Sequence, residues 1–309
     1  MKKIVVAGSL NMDLVLEVAR LPRPGETVRS HVFRQAPGGK GANQAVAAAR
    51  LGAVVTHIGR VGDDAYGEEL RRNLEINGVD TRLVAADSTA DTGLAMITVD
   101  AAGENTIVLH AGANGACPPE FVAKGLKECR DAEALLLQLE IPLPAVWAAV
   151  EQARANGQTI FLNPAPALDL PDSLLREADF LIPNETEANQ LSGLPADEIA
   201  SSIEAGRALC ARGAANVIIT LGGKGALWVN RAGEVQYFPA HRVKVVDTTA
   251  AGDAFVAALA VAMRDPRSEE AIAEAIRYAM AAGALAVTRP GAQPSLPTAA
   301  EVAEFLNRG

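Results

Sequence analysis

Residues Val246-Asp247-Thr248-Thr249-Ala250-Ala251-Gly252-Asp253-Ala254-Phe255 crowd small residues into a turn, set one carboxylate behind a glycine, and run on as an apolar helix to Met263. A helix start carries free backbone N–H groups and a positive dipole end, so the turn at Ala250, Ala251 and Gly252 can hold an anion. A carboxylate beside such a hole is poorly placed to bind phosphate. Asp253 is well placed to take a proton from an attacking hydroxyl. The competing reading is a plain helix N-cap by Asp or Thr.

A second chemical segment is Pro37-Gly38-Gly39-Lys40-Gly41-Ala42-Asn43, followed by an Ala-rich helix over 44–50. The glycines let backbone approach a ligand closely, and Lys40 and Asn43 suit hydroxyl recognition. The order excludes a Walker A loop, because Gly41 follows the lysine. A Gly-rich turn that merely caps a helix fits as well. In Gly8-Ser9-Leu10-Asn11-Met12-Asp13, Asn11 and Asp13 share a side of extended chain at a strand exit and could hold vicinal sugar hydroxyls, or form an Asx turn. Gln138-Leu139-Glu140 places polar groups at another strand end. Asn184-Glu185-Thr186-Glu187 reads as a capping box that could also sit near Mg²⁺. Thr220-Leu221-Gly222-Gly223-Lys224-Gly225 could cradle phosphate or turn between two strands.

Positioning these groups falls to short apolar runs alternating with amphipathic stretches, the pattern of a mostly parallel sheet between two helical layers. Strands are expected at 3–8, 54–59, 134–139, 159–162, 180–182 and 217–221. Helices are expected at 41–51, 65–77, 119–127, 143–156, 185–191, 199–212, 253–263, 268–287 and 298–306. Two regions, 13–35 and 93–110, break the alternation and read as a small inserted β-sheet lid on a single domain spanning 1–309. One lid face can cover a site. The other carries apolar residues whose burial predicts a homodimer through the lids.

A net charge of −9 argues against nucleic-acid and anionic-membrane partners. The amino-terminal apolar run is too short for a secretory signal, no run reaches membrane-spanning length, and Cys117, Cys129 and Cys210 lack metal-ligand spacing. Together these point to the cytoplasm. The four histidines are scattered and suggest no catalytic role.

Gly38–Asn43 and Asp247–Asp253 resemble the two signatures of the ribokinase-like (PfkB) sugar kinases. The likeness runs in order from Gly8 to about Ser295, through His110-Ala111-Gly112-Ala113-Asn114, Asn163-Pro164-Ala165-Pro166-Ala167 and Arg289-Pro290-Gly291-Ala292-Gln293-Pro294-Ser295. The resemblance implies ATP-dependent phosphorylation of D-ribose at O5. It makes Asp253 the base and Ala250, Ala251 and Gly252 the anion hole. It assigns the sugar to Asn11, Asp13, Gly39, Lys40, Gly41, Ala42, Asn43 and Glu140. ATP goes to Asn184, Gly252 and the run Thr220, Leu221, Gly222, Gly223, Lys224, Gly225, with Mg²⁺ near Asn184 and Glu187. K⁺ goes to Asp247 and Ser295 with carbonyls of Thr249, Ala286, Arg289 and Gly291. Related enzymes frame adenine with a polar residue near Met280, so this chain offers no base hydrogen bond from that position. The rival readings are another sugar or nucleoside kinase of the same fold, such as a 2-deoxyribokinase, fructokinase or adenosine kinase, and a non-catalytic sugar-binding regulator.

Overall fold

Along the strand Lys3–Ala7, Ile4 and Val6 enter one buried cluster while Val5 and Ala7 enter another. Alternate side chains of an extended strand point to opposite faces, so a strand apolar at every position must be covered on both. The computed structural model, which describes residues 1–308, shows such a sheet between two helical layers. The strands are β1 (Lys3–Ala7), β2 (Asn11–Val18), β3 (Ser30–Gly38), β4 (Val54–Gly62), β5 (Val79–Asp87), β6 (Gly93–Val99), β7 (Asn105–His110), β8 (Ala134–Leu137), β9 (Thr159–Leu162), β10 (Phe180–Leu181), β11 (Asn216–Thr220), β12 (Gly225–Asn230) and β13 (Val235–Pro239). The helices are α1 (Lys40–Arg50), α2 (Ala65–Ile76), α3 (Pro119–Glu128), α4 (Leu143–Asn156), α5 (Asp172–Glu177), α6 (Glu185–Ser192), α7 (Ile199–Ala211), α8 (Ala251–Ala262), α9 (Glu269–Ala286) and α10 (Ala299–Arg308).

The large sheet runs β13-β12-β11-β10-β9-β8-β1-β4-β5 and is parallel except at β12 and β13. One layer holds α1, α8 and α9 over Ile4, Val6 and Leu136; the other holds α4 and α7 over Val5, Leu135 and Leu137. Small residues such as Ala254, Ala257, Ala275, Ala279 and Ala282 fill the α8–α9 contact, so these helices approach closely. The three-layer α/β expectation holds. The sequence reading passed over β5, whose apolar residues are interrupted by Asp80, Thr81 and Arg82, and the antiparallel β12–β13 edge.

The smaller sheet runs β3-β2-β6-β7 and is built from residues 11–38 and 93–110. Its parallel β2–β6 pair sets Asn11 opposite Gly93 and Asp13 opposite Ala95. The β2–β3 pair sets Asn11 opposite Gly38. By the two-residue period, Asp13, Ala95 and Leu109 share one face. The opposite face carries Phe33, Met96 and Val108, which are 56, 53 and 65% exposed.

Candidate active site

Asp253 lies in the first turn of α8 and does not cap it. The N-cap is Ala250, at φ 58° in the left-handed region, and no side chain caps the helix. That conformation costs a non-glycine residue about 1–2 kcal/mol. No side chain caps the N–H groups at 250–252, and Ala251 N makes one long bond, to the Thr248 carbonyl at 3.3 Å. The simple capping reading of Asp253 therefore fails. Its carboxylate, 7% exposed, accepts hydrogen bonds from Asn43 Nδ2 at 2.9 Å and Gln44 Nε2 at 3.1 Å. Burial pushes its pKa up, and the Lys40 ammonium with the two amides opposes that rise.

Helix α1 begins at Lys40, with Gly39 as N-cap at φ 89°. The glycines before it approach backbone of the chain itself and not only a ligand. A Cβ on Gly39 would lie 2.7 Å from the Asn11 nitrogen, and one on Gly41 would lie 2.6 Å from the Ser9 nitrogen. The start of α1 is thereby pressed onto the β1–β2 turn, and Ala42 N donates to the Ser9 carbonyl at 2.9 Å. Lys40 and Asn43 thus lie beside the exit of β1, with Gln44 fully buried behind them. Asn43 is 6% exposed and its Oδ1 has no hydrogen-bond partner among the described residues, an acceptor in a site that can meet a hydroxyl.

Glu140 joins the same end of the sheet. One carboxylate oxygen accepts from Ser9 Oγ at 2.5 Å, Lys40 N at 3.1 Å and Asn11 Nδ2 at 3.5 Å. Asn114 fixes Asn11 from behind, donating to its Oδ1 at 2.8 Å and to the Leu10 carbonyl at 2.9 Å. Asn114 fell inside a quoted motif, but the sequence offered no sign of that contact. Burial, then Glu140 and Asp253, push the Asp13 pKa up to about 7, with Lys40 opposing. For Lys40, burial pulls the pKa down, but the fields of Asp253, Glu140, Glu187 and Asp13 outweigh it and hold the ammonium above its usual value. One buried cation therefore balances four carboxylates.

On the other side of Asp253 is a cleft of about 210 Å³, lined by Lys40, Asn184, Glu187, Thr220, Thr248 and Gly252 among others. The predicted capping box is present. Glu187 N donates to Asn184 Oδ1 at 2.8 Å, and Asn184 N donates to Glu187 Oε2 at 2.9 Å. Burial raises the pKa of Glu187 against the opposing Asn184 hydrogen bond and Lys40 charge. Thr220 reaches the cleft. Gly222–Lys224 is a 3-10 turn joining antiparallel β11 and β12, the strand-turn alternative of the sequence reading. Lys224 is paired with Glu185 at 2.7 Å. Met280 is half-buried and packs against the α8–α9 core.

The 247–249 and 287–295 segments meet. Thr249 N and Oγ1 donate to Asp247 Oδ1 at 2.9 and 2.6 Å, and Gly291 N donates to Oδ2 at 2.8 Å. Burial opposes ionisation of Asp247, but these bonds outweigh it and hold the carboxyl below its usual range. Ser295 is fully buried and donates to the Ala292 carbonyl at 2.7 Å, while the Ala286 carbonyl accepts from Arg289 N at 3.3 Å. No cluster of three or more His, Cys, Asp or Glu suited to a metal occurs among the described residues, and no helix there is long and apolar enough to cross a membrane.

A buried carboxylate between a cluster of polar side chains and a cleft, beside a helix start, forms a site for phosphoryl transfer to a hydroxyl. Residues 1–299 match the pfkB family carbohydrate kinase model, and the chain belongs to that family. It is 41% identical to ribokinase of Haemophilus influenzae over 305 residues, covering 99% of this chain and 98% of the relative. It is 39% identical to deoxyribokinase of Salmonella typhi, covering 98% of each. Its fold matches Arabidopsis thaliana ribokinase complexed with ribose and ATP with a TM-score of 0.91 at 34% identity, covering 99% of both chains.

Proposed function

We propose that this chain catalyses ATP-dependent phosphorylation of D-ribose at O5 to give D-ribose 5-phosphate. The observation that carries the reading is the Asp253 carboxylate, buried between the Asn11, Asp13 and Glu140 cluster and the cleft lined by Asn184 and Thr220, and oriented by Asn43 and Gln44. Asn11, Asp13, Asn43 and Glu140 bind the sugar, aided by backbone at Gly39, Gly41 and Ala42. Asn43 Oδ1, Asp13 and Glu140 accept from its hydroxyls, and Asn11 donates. Asp253 takes the O5 proton as that oxygen attacks the terminal phosphorus of ATP, and the bond from that phosphorus to the bridging oxygen breaks to release ADP. The backbone N–H groups of Ala250, Ala251 and Gly252 and the Lys40 ammonium offset charge on the moving phosphoryl group. ATP lies along Asn184 and the 220–225 turn. The small sheet, residues 13–35 and 93–110 of a single domain, closes over the sugar and keeps competing water out.

Glu187 and Asn184 provide one carboxylate and one amide oxygen, a donor set that fits a Mg²⁺ retaining most of its water. Held by Asn184 and Glu187, Mg²⁺ would supply charge neutralisation for the phosphates. The candidate ligands in segments 247–249 and 286–295 are carbonyl, hydroxyl and carboxylate oxygens, and the Asp247 carboxyl is held below its usual range, which suits K⁺. Their residues, Asp247, Thr249, Ala286, Arg289, Gly291 and Ser295, would hold that ion and so brace the anion-hole turn. The same reading places the protein in the cytoplasm as a homodimer joined through the lids.

The deciding experiment follows ADP release with D-ribose, 2-deoxy-D-ribose, D-fructose and adenosine, using ATP with Mg²⁺. D-ribose is expected to give the highest kcat/KM and a 5-phosphate product. A preference for 2-deoxy-D-ribose, the sugar named for one relative, would overturn the ribose assignment and leave the kinase reading standing. No ADP release with any acceptor would overturn both and favour a sugar-binding regulator.

A further inference from the structure

Behind Asp253, outside the cleft lining, lie two glutamines with 0% exposure, Gln44 on α1 and Gln138 after β8. Burying an amide is costly unless its hydrogen bonds are made, so their partners are informative. Asn163 Nδ2 donates to the Ile182 carbonyl at 2.9 Å, which turns Asn163 Oδ1 toward Gln44. Gln44 Nε2 donates both to that oxygen, at 3.3 Å, and to Asp253 Oδ1, at 3.1 Å. Gln138 Nε2 donates to Gln44 Oε1 at 2.5 Å. The Gln138 amide in turn rests on Gly8, where an added Cβ would stand 2.1 Å from its Oε1. The chain of donors has one direction. It ends on a backbone carbonyl and a carboxylate, neither of which can donate. Flipping Gln44 would set its oxygen against Asn163 Oδ1 and Asp253 Oδ1 together, and its nitrogen against the Gln138 amino group.

We propose that Gln44 is the positioning residue of the base: locked by Asn163 and Gln138, it fixes the plane of the Asp253 carboxylate between the sugar-binding side chains and the cleft. This deepens the reading of Asp253 as general base and rests on it. Asn43 holds the other carboxylate oxygen, at 2.9 Å, from the adjacent position of the same helix. Two amides on consecutive residues thus grip both oxygens. Their bonds also favour the ionised form, against the burial that disfavours it. Gln44 lies outside the lining of the ATP-side cleft, so its loss should spare nucleotide affinity.

Gln44→Met keeps length and removes the donor. In the full-length protein it is expected to lower kcat at neutral pH by about ten- to a hundredfold, the scale of a hydrogen bond to a charged group. Sugar and ATP KM should stay within about threefold. The acid limb of the kcat/KM profile should move to higher pH, because the base has lost a bond to its ionised form. In an Asp253→Asn background, Gln44→Met should cause no further loss. An unmoved acid limb, or an equal loss in both backgrounds, would reduce Gln44 to packing and overturn the proposal. If the Met variant does not fold, Gln44→Glu replaces it. The new carboxyl must hold a proton to keep its contact with Asp253, so the acid limb must again rise, and a limb that stays put overturns the proposal. Failure of the underlying reading has a separate signature: Asp253→Asn alone would retain more than about a tenth of the parent kcat.

Discussion

Gly38→Ala is a test of the sugar cleft that leaves every polar group in place. A Cβ built on Gly38 stands 2.2 Å from Asp13 Oδ2 and 2.5 Å from both Cγ and Oδ1. Carbon atoms in contact settle at about 3.5 Å or beyond, so the Asp13 carboxyl must retreat by about 1 Å. A hydroxyl bond near 2.8 Å stretched by that much lies at about 3.8 Å and is lost. Leaving that group unmet costs about 1–3 kcal/mol. Sugar KM should therefore rise by about five- to a hundred-and-fifty-fold, at 1.4 kcal/mol per factor of ten. Gly38 does not have a positive φ, and the obstruction is a side chain rather than backbone, so the fold should tolerate alanine. The assay is initial rate against sugar concentration at saturating ATP, with the melting temperature measured in parallel. In an Asp13→Ala background the added Cβ meets nothing charged, and Gly38→Ala should then add little. An unchanged sugar KM in the single variant, with stability intact, would refute the assignment of Asp13 to the sugar.

Asp253→Asn should lower kcat by about 10²–10⁴-fold while sugar binding measured by calorimetry stays near the parent value. Because burial pushes the Asp13 pKa up to about 7 and the ionised carboxylate accepts from hydroxyls more strongly than the acid, sugar KM should fall by up to about tenfold between pH 6 and pH 8; a flat profile would argue against its role. The sign for stability is opposite. The folded state binds the Asp13 proton more tightly than the unfolded chain, so this group's contribution is full below about pH 4 and is lost as pH rises through 7, seen as a smaller decline of unliganded melting temperature in Asp13→Asn. Rates in K⁺ should exceed those in a large organic cation, and Asp247→Ala should abolish the difference; equal rates in K⁺-free buffer would remove the ion from the mechanism. Paired Met96→Lys and Val108→Lys substitutions, opposite each other across β6 and β7, should shift a sedimenting dimer toward monomer and raise sugar KM; a wild-type monomer at micromolar concentration would rule out lid pairing.

The features written in local chemistry were legible before the structure. The box at Asn184 and Glu187 needs only three-residue spacing, and Asn11 and Asp13 share a face because strands alternate. The alternation of apolar runs and helices fixed the layers, with ends off by one or two residues at β1, β8 and α8. What stayed hidden depends on distant partners. Nothing local says that Ala250 takes a left-handed conformation, since alanine ordinarily avoids it. Asn114 supports Asn11 across 103 positions, and Gln138 meets Gln44 across 94. Gln44 did leave one trace, a second polar residue directly after Asn43 at the head of an alanine-rich helix. Its partner could be found only once β8 and α1 lay side by side.

The register of β2 has an evolutionary side. Its first residue is flanked by Gly38 on one neighbour and Gly93 on the other, and a Cβ on Gly93 would stand 2.3 Å from Asn11 Oδ1. One inserted or deleted residue between 8 and 13 would rotate Asn11 and Asp13 to the far face and set side chains against both glycine gaps. The exposed connection at residues 20–29 and the β6–β7 turn at 100–104 carry no such lock. Descendants of this chain can lengthen or shorten there freely, so length should drift at the rim of the lid while the few residues entering it keep their count.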